Sequence, residues 1–310
     1  MSVVFPVYGD FSAERLLLSI EAMRAQKDVE PEVVVVERGT TSRLQGKLDP
    51  SVIYRFQPYT PSKEFGDFNQ GEVRNDAIAA SSGEFIYTND GDVMFMDEHF
   101  LARSREILEQ NHDMALYRPP MRRLPLDNFE EFKRRADAKS IREAIASLNL
   151  HTNEFLATTD DEPRNVRVAV SNSEGDLRVR TTSEEDFARY TADASLKDNE
   201  HVIWSENVHY GGNFLRRWQF ERVGGYCERY INWGCEDTDF QWKLRNTFNL
   251  QHFPKIGKFT VLHLDHEKRY LIPAMVKRNE ELFERRRKDG VYLAIKEDRN
   301  QKERRGSFHS

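Results

Sequence analysis

The stretch from Phe85 to Phe95 constrains what this chain can fold into more than any other. Phe85-Ile86-Tyr87-Thr88 has the aromatic and β-branched content of a buried strand. The run stops at Asn89-Asp90-Gly91-Asp92 and turns apolar again at Val93-Met94-Phe95. A strand ending in two carboxylates around a residue without Cβ delivers oxygen ligands to one point. A hard divalent cation, Mg2+ or Mn2+, takes such ligands and fills its remaining positions with phosphates or water. Asn-Asp-Gly is also ordinary turn chemistry, so these residues alone leave both readings open.

The segments around it repeat the pattern. Ser2 to Pro6 reads as a first buried strand, followed by Val7-Tyr8-Gly9-Asp10. Leu16, Leu17, Ile20 and Met23 recur at helical spacing behind Ser12, a suitable N-cap. Val33 to Val36 is uniformly apolar, as central parallel strands are, and ends in Glu37-Arg38. Val52 to Phe56 gives a third strand, Gly71 to Ala80 a helix, residues 97 to 110 another helix, and Asp113 to Tyr117 a further strand. Strand alternating with helix predicts an α/β, doubly wound sheet, which binds ligands at the carboxyl ends of its strands. Tyr8, Glu37 and Asp90 all fall at such ends.

Composition narrows the class. A chain of 310 residues, 38% hydrophobic and 32% charged, can bury one large core or two close lobes. Its apolar runs are too short to cross a bilayer, and no basic and apolar leader precedes Ser2, so neither a transmembrane segment nor a signal peptide is expected. A net charge of −6 speaks against nucleic acid as a general partner. Two cysteines, Cys227 and Cys235, make no disulfide framework and fit a reducing compartment, so a cytoplasmic location is expected.

From Pro119 to Asn199 the pattern weakens. Asn128 to Leu148 is helical and charged; Val166 to Val170 and Leu177 to Arg180 read as a hairpin around residues 171 to 176, and a helix is expected over Glu184 to Tyr190. Glycines and aromatics then return, with Gly211-Gly212, Gly224-Gly225 and Trp233-Gly234-Cys235-Glu236-Asp237-Thr238-Asp239. Three acids there could simply favour a helix N-terminus. They could equally set carboxylates beside an aromatic ring, which suits the hydroxyls and C–H faces of a sugar. Val261 to His266 ends a strand in two histidines around Asp265, a candidate completion of a metal site. Pro273 opens a long charged helix whose basic stripe reads as a solvated face, with membrane-surface contact as the minor alternative, and Gln301 to Ser310 is expected to fray.

Taken together these stretches resemble a GT-A fold glycosyltransferase of the β-1,4-galactosyltransferase type, or the related bacterial polymerases such as chondroitin polymerase. Pro6-Val7-Tyr8 is similar to the opening of the nucleotide-binding half, and Phe68-Asn69-Gln70-Gly71 through Arg74-Asn75 resembles the Phe-Asn-Arg-Ala segment. Asp90-Gly91-Asp92 matches Asp-Val-Asp; Gly211-Gly212, Phe220, Gly224-Gly225 and residues 233 to 239 follow the remaining motifs in order, and His263 falls at the metal-binding histidine. Cys235 stands where the family has glycine, Gln70 where it has arginine, and a methionine ligand before the histidine has no counterpart.

The resemblance implies a Rossmann-like mixed sheet flanked by helices, with a helical and hairpin insertion and a C-terminal helix. It divides the chain into a nucleotide-sugar half (1–118), a variable acceptor-side insertion (119–205), an acceptor and catalytic half (206–267) and a C-terminal helix and tail (268–310). It implies inverting transfer from a nucleotide-sugar donor, a UDP-sugar, to a glycan or glycoconjugate acceptor, as in polysaccharide biosynthesis. Asp237 is then the general base, with Glu236 holding sugar hydroxyls. Asp92, His263 and Asp90 are the ligands of Mn2+ or Mg2+, with His266 as second choice for His263. Pro6, Val7, Tyr8, Glu37, Arg74, Asn75, Asp90, Gly91, Gly211 and Gly212 border the donor, and Trp233 and Asp239 the acceptor. A retaining transferase, or a non-catalytic sugar- or nucleotide-binding protein on the same fold, remains the alternative.

Overall fold

A computed structural model describes residues 1–8, 11–59, 69–124, 126–147, 166–171, 177–182, 208–254, 257–266 and 272–305. The uniformly apolar segments become parallel strands: β1 (Ser2–Tyr8), β2 (Glu32–Gly39), β3 (Ile53–Pro58) and β4 (Phe85–Thr88). Beside β4, β10 (Asn213–Arg216) runs antiparallel, then β6 (Met114–Tyr117) antiparallel to β10, and β11 (Asn249–His252) parallel to β6. The resulting order is β11-β6-β10-β4-β1-β2-β3. Two reversals restore direction, so β1, β2, β3, β4, β6 and β11 all end on one edge.

Both faces of this sheet are covered, which is why its strands carry no polar alternation. Val3, Phe5, Val33 and Val35 pack against α1 (Ala13–Arg24) and α3 (Phe100–Gln110), through Leu16, Ile20, Phe100 and Leu101. Val4, Val34 and Val36 face α2 (Gln70–Ala80), α6 (Arg217–Arg222) and α7 (Glu236–Arg245), through Val73, Ile78, Phe220, Phe240 and Leu244. Ser12 caps α1 as expected, accepting from the Arg15 amide, and Asn69 caps α2 through the Glu72 amide.

A second sheet, in the order β5-β12-β7, joins β5 (Val93–Phe95), β12 (Val261–Leu264) and β7 (Met121–Leu124). It is backed by α4 (Phe129–Ala138) and α5 (Ile141–Ser147), where the sequence suggested a single helix. Met94, Leu124, Phe129, Phe132, Ile145 and Leu262 form one buried cluster, so residues 121 to 147 are built into the same body as β5 and β12. The expected hairpin is present as β8 (Val166–Ser171) antiparallel to β9 (Leu177–Thr182). Its turn and the helix expected over Glu184 to Tyr190 lie outside the described residues.

Pro273 does open a helix, α8 (Pro273–Asp289), which breaks at Gly290 (φ 95°) before α9 (Val291–Arg305). Neither is a plain solvated face. Arg286 is 2% exposed and ion-paired to Asp239 and Asp298. Lys302 is 3% exposed with its ammonium 4.5 Å above the Phe220 ring, which corrects the expectation of fraying from Gln301 as far as Arg305. Among the described residues, no helix is long and apolar enough to cross a membrane.

Candidate active site

The chain leaves β4, passes Asp90 and Asp92, and re-enters as β5, which pairs with β12 so that Val93 lies opposite His263. This pairing puts the Asp92 Oδ2 atom 3.4 Å from His263 Nε2 and 2.8 Å from His266 Nε2. The three residues offer ligand atoms that all lie within 4.8 Å of one another. His263 Nδ1 is 2.9 Å from Asp265 Oδ1, which also accepts from Arg123 at 2.6 Å. A carboxylate at Nδ1 fixes the ring with Nε2 turned toward Asp92, as outer partners of metal-binding imidazoles do. Burial alone would push the Asp92 carboxyl up, but His263 and His266 outweigh it and hold it below the usual range. Two imidazole nitrogens with one carboxylate fit Mn2+ better than Mg2+, which prefers oxygen throughout.

Asp90, expected as a further ligand, points elsewhere. Its Oδ1 accepts from Arg74 Nη2 at 2.7 Å and Gln70 Nε2 at 2.9 Å, while Oδ2 meets His209 Nε2 at 3.0 Å. Arg74, fully buried, turns its other nitrogen to Asp237 Oδ1 at 2.8 Å and lies 3.7 Å from Glu236 Oε1. One guanidinium therefore ties the end of β4 to the start of α7. The crowding fixes a glycine: a Cβ on Gly211 would sit 2.6 Å from Arg74 Nη2 and 2.8 Å from Asp90 Oδ2. Gly212 is confined likewise by Pro119 and His209.

Glu236 and Asp237 open α7, where the helix dipole favours negative charge. They are nonetheless only 5% and 8% exposed. Burial, then the neighbouring Asp237 charge, pushes the Glu236 carboxyl up to about 8. Burial also raises Asp237 although Arg74 opposes it. Asp237 Oδ1 is taken by Arg74, and among the described residues Glu236 Oε2 is buried with no hydrogen-bond partner. Ahead of them Asn232 (φ 62°), Gly234 (φ 110°) and Cys235 (φ 72°) bend the chain through left-handed conformations. Cys235 keeps that bend at a cost of roughly 1–2 kcal/mol. Trp233 stands out at 56% exposure, its carbonyl and that of Ile231 held by Asn279 of α8.

Several expected contacts are corrected by what surrounds them. Asp239, expected at the acceptor, is fully buried, with Arg286 donating to both its oxygens and Tyr230 to one. Glu37, expected at the nucleotide, is 1% exposed and accepts from Ser42, the Arg43 amide and Tyr54, so it organises the loop after β2. Asn75 is spent on Tyr226 and Glu228. Pro6 and Val7 are buried within β1, Gly91 lies against it, and Tyr8 reaches the edge with its ring 5.7 Å from that of Tyr59. His209 and Arg123 join the site without having been singled out for it, and Asp265, noted as lying between the two histidines, is the carboxylate on His263 Nδ1. Only the closeness of His209 to Gly211-Gly212 could have hinted at its part.

A family model described as glycosyl transferase family 2 matches residues 2–163, and one described as the N-terminal domain of galactosyltransferase matches residues 200–267. Among solved structures, S. aureus TarS is similar with a TM-score of 0.50 at 16% identity, over 91% of this chain and 38% of that one. The 1–349 portion of S. aureus TarS in complex with UDP-GlcNAc gives 0.47 at 12% identity, over 91% and 65%. Mannosyltransferase PcManGT from Pyrobaculum calidifontis, in complex with GDP-Man and Mn2+, gives 0.45 at 13% identity, over 86% and 58%. The chain thus spans between 38% and 65% of the length of these structures. No curated protein matches it. The mixed, helix-flanked sheet is that of the GT-A fold. With the first family model covering more than half its length, the chain belongs to glycosyl transferase family 2.

Proposed function

We propose that this protein is an inverting glycosyltransferase that moves a sugar from a nucleoside diphosphate donor, a UDP-sugar, to a hydroxyl of a glycan or glycoconjugate. One observation carries this reading. Arg74 bridges Asp90 and Asp237, so the acid pair of α7 shares the sheet's carboxyl edge with the Asp92–His263–His266 group. Membership of glycosyl transferase family 2 supports the donor class.

Asp92, His263 and His266 would hold Mn2+, or less favourably Mg2+. Bound there, the cation would act as a Lewis acid on the diphosphate leaving group. Tyr8, Gly211 and Gly212 border the donor, with residues 1–118 as the nucleotide half and 206–267 as the acceptor half. Asp237, aimed by Arg74, removes the proton of the acceptor hydroxyl. Burial raises its affinity for that proton, as a general base requires. The acceptor oxygen attacks the anomeric carbon opposite the departing diphosphate and inverts it. Glu236 holds a sugar hydroxyl, and exposed Trp233 offers a face for C–H packing.

Mn2+-dependent nucleotide release from UDP-, GDP- and dTDP-sugars, followed by NMR of the anomeric product, tests the reading. Release from the UDP-sugar with inversion is expected. A retained configuration, or no release from any donor, overturns it.

A further inference from the structure

The corner where α8 turns into α9 has no part in the chemistry above. Its inner side is fixed, because Arg286 of α8 and Ala294, Asp298 and Lys302 of α9 are buried, the last three at helical spacing. That phase turns Tyr292 and Leu293 outward, at 82% and 41% exposure, and makes Tyr292 the most exposed large apolar side chain among the described residues. A Cβ on Gly290 would meet nothing within 4 Å, so the corner stands clear of the rest of the protein. Arg285 and Lys288 lie on the α8 side of it, and Lys296 one turn beyond Tyr292 on the other. Among the described residues, none of these three cations pairs with a carboxylate, whereas Arg287 is held by Glu284 at 3.1 Å. Between residues 284 and 296 the exposed charges are Arg285, Arg287, Lys288 and Lys296 against Glu284 and Asp289, a positive excess on a chain whose net charge is −6.

A single exposed apolar side chain is commonplace, but an aromatic and an aliphatic one side by side on a projecting corner, flanked by cations, are not. Tyrosine suits the headgroup depth of a bilayer, and leucine the boundary with the acyl chains. Lysine and arginine stems are long enough to keep their charges on lipid phosphates. Neither signal suffices alone; an apolar wedge together with a basic patch gives binding that each by itself does not. The charge sign selects an anionic surface over a neutral one. A protein partner would present carboxylates at fixed positions, yet among the described residues no hydrogen bond holds Arg285, Lys288 or Lys296 in place, which suits mobile headgroups. Further back on the same helix, Asn279 holds the carbonyls of Ile231 and Trp233, so about 15 Å of helix separates the corner from the loop leading to Glu236 and Asp237.

We propose that the corner between α8 and α9 docks on an anionic lipid bilayer, with Tyr292 and Leu293 entering the headgroup layer and Arg285, Lys288 and Lys296 lying on lipid phosphates. Flotation of the full chain with vesicles of phosphatidylcholine alone, and of phosphatidylcholine and phosphatidylserine in equal parts, tests it. The mixed vesicles should be bound about tenfold tighter or more, and each of Arg285→Gln, Lys288→Gln and Lys296→Gln should weaken that binding roughly fivefold. Tyr292→Ser combined with Leu293→Ser should abolish it, while Tyr292→Phe retains it, and the urea midpoint of every variant should match that of the parent. No binding to the mixed vesicles, equal binding to both compositions, or undiminished binding by the double Ser variant overturns the docking surface. So does a concentration-dependent dimer, seen by sedimentation without lipid, that the double Ser variant abolishes, because a second copy of the chain would then cover the corner.

Discussion

The first turn of α7 sends acids to two different buried arginines. Glu236 and Asp237 face Arg74, which Asp90 also shares, so three carboxylates crowd one guanidinium. Asp239 faces Arg286 instead, where Asp298 and Glu297 meet Lys243 and Arg229 in a set of three acids and three cations. The consequences diverge. Burial would push Asp298 up, but Lys243 and Arg286 hold its carboxyl low. Glu236, equally buried and short of countercharge, is pushed up to about 8. A balanced cluster acts as a staple, whereas an overcharged one keeps groups ready to take a proton.

The sharpest way to break this contrast is to neutralise one acid of each set. Asp237→Asn should lower kcat by about 10²–10⁴-fold while calorimetry shows donor binding unchanged. A near-normal kcat would remove Asp237 as the base. Asp239→Asn should do the reverse, costing about 3–5 kcal/mol in urea unfolding with kcat per folded molecule retained. If both variants lose activity alike and stability not at all, the two clusters are not different in kind. Asp265→Ala, which touches neither arginine, should weaken Mn2+ binding about 10–100-fold, as read by metal titration. An unchanged affinity would mean His263 needs no orienting partner.

A smaller effect sharpens the electrostatic half of the comparison. The folded Glu236 carboxyl lies above its ordinary 4.5, near 8, so its contribution to stability declines as pH rises through that window. Glu236→Gln should therefore melt alongside the parent near pH 5 and above it by pH 9, by roughly 2–4 °C for each kcal/mol relieved. A gap that ignores pH would contradict the charge excess. Cys235→Gly is expected to change least, a gain of about 1 kcal/mol or less, because relief of the left-handed bend is offset by glycine's greater freedom when unfolded.

The sequence disclosed what local chemistry can encode. Apolar runs ending in polar residues located β1, β2 and β4, and with them the edge where Asp92 and Asp90 lie. The two histidines at the end of β12 were legible for the same reason. What a side chain does after leaving its strand was not. Asp237 and Asp239 sit two positions apart in one motif, and only Arg286, far along the chain, decides that the second is walled in. Glu37 likewise occupies a strand end, yet the loop that follows closes over it. His209 had no readable partner because Asp90 comes from a distant strand. The place of residues 121 to 147 was hidden for another reason: β7 has only four residues, too short for periodicity, yet its pairing with β12 draws α4 and α5 into the body.

A Cβ on Gly225 would come within 1.7 Å of Lys302 Nζ, so the last helix is keyed into the protein and does not merely lie upon it. The break at Gly290 would look like a natural place to put a stop codon when trimming the gene for expression. Ending translation there would delete Asp298 and Lys302 together, strand Arg286 and Lys243, and uncover the back of Phe220.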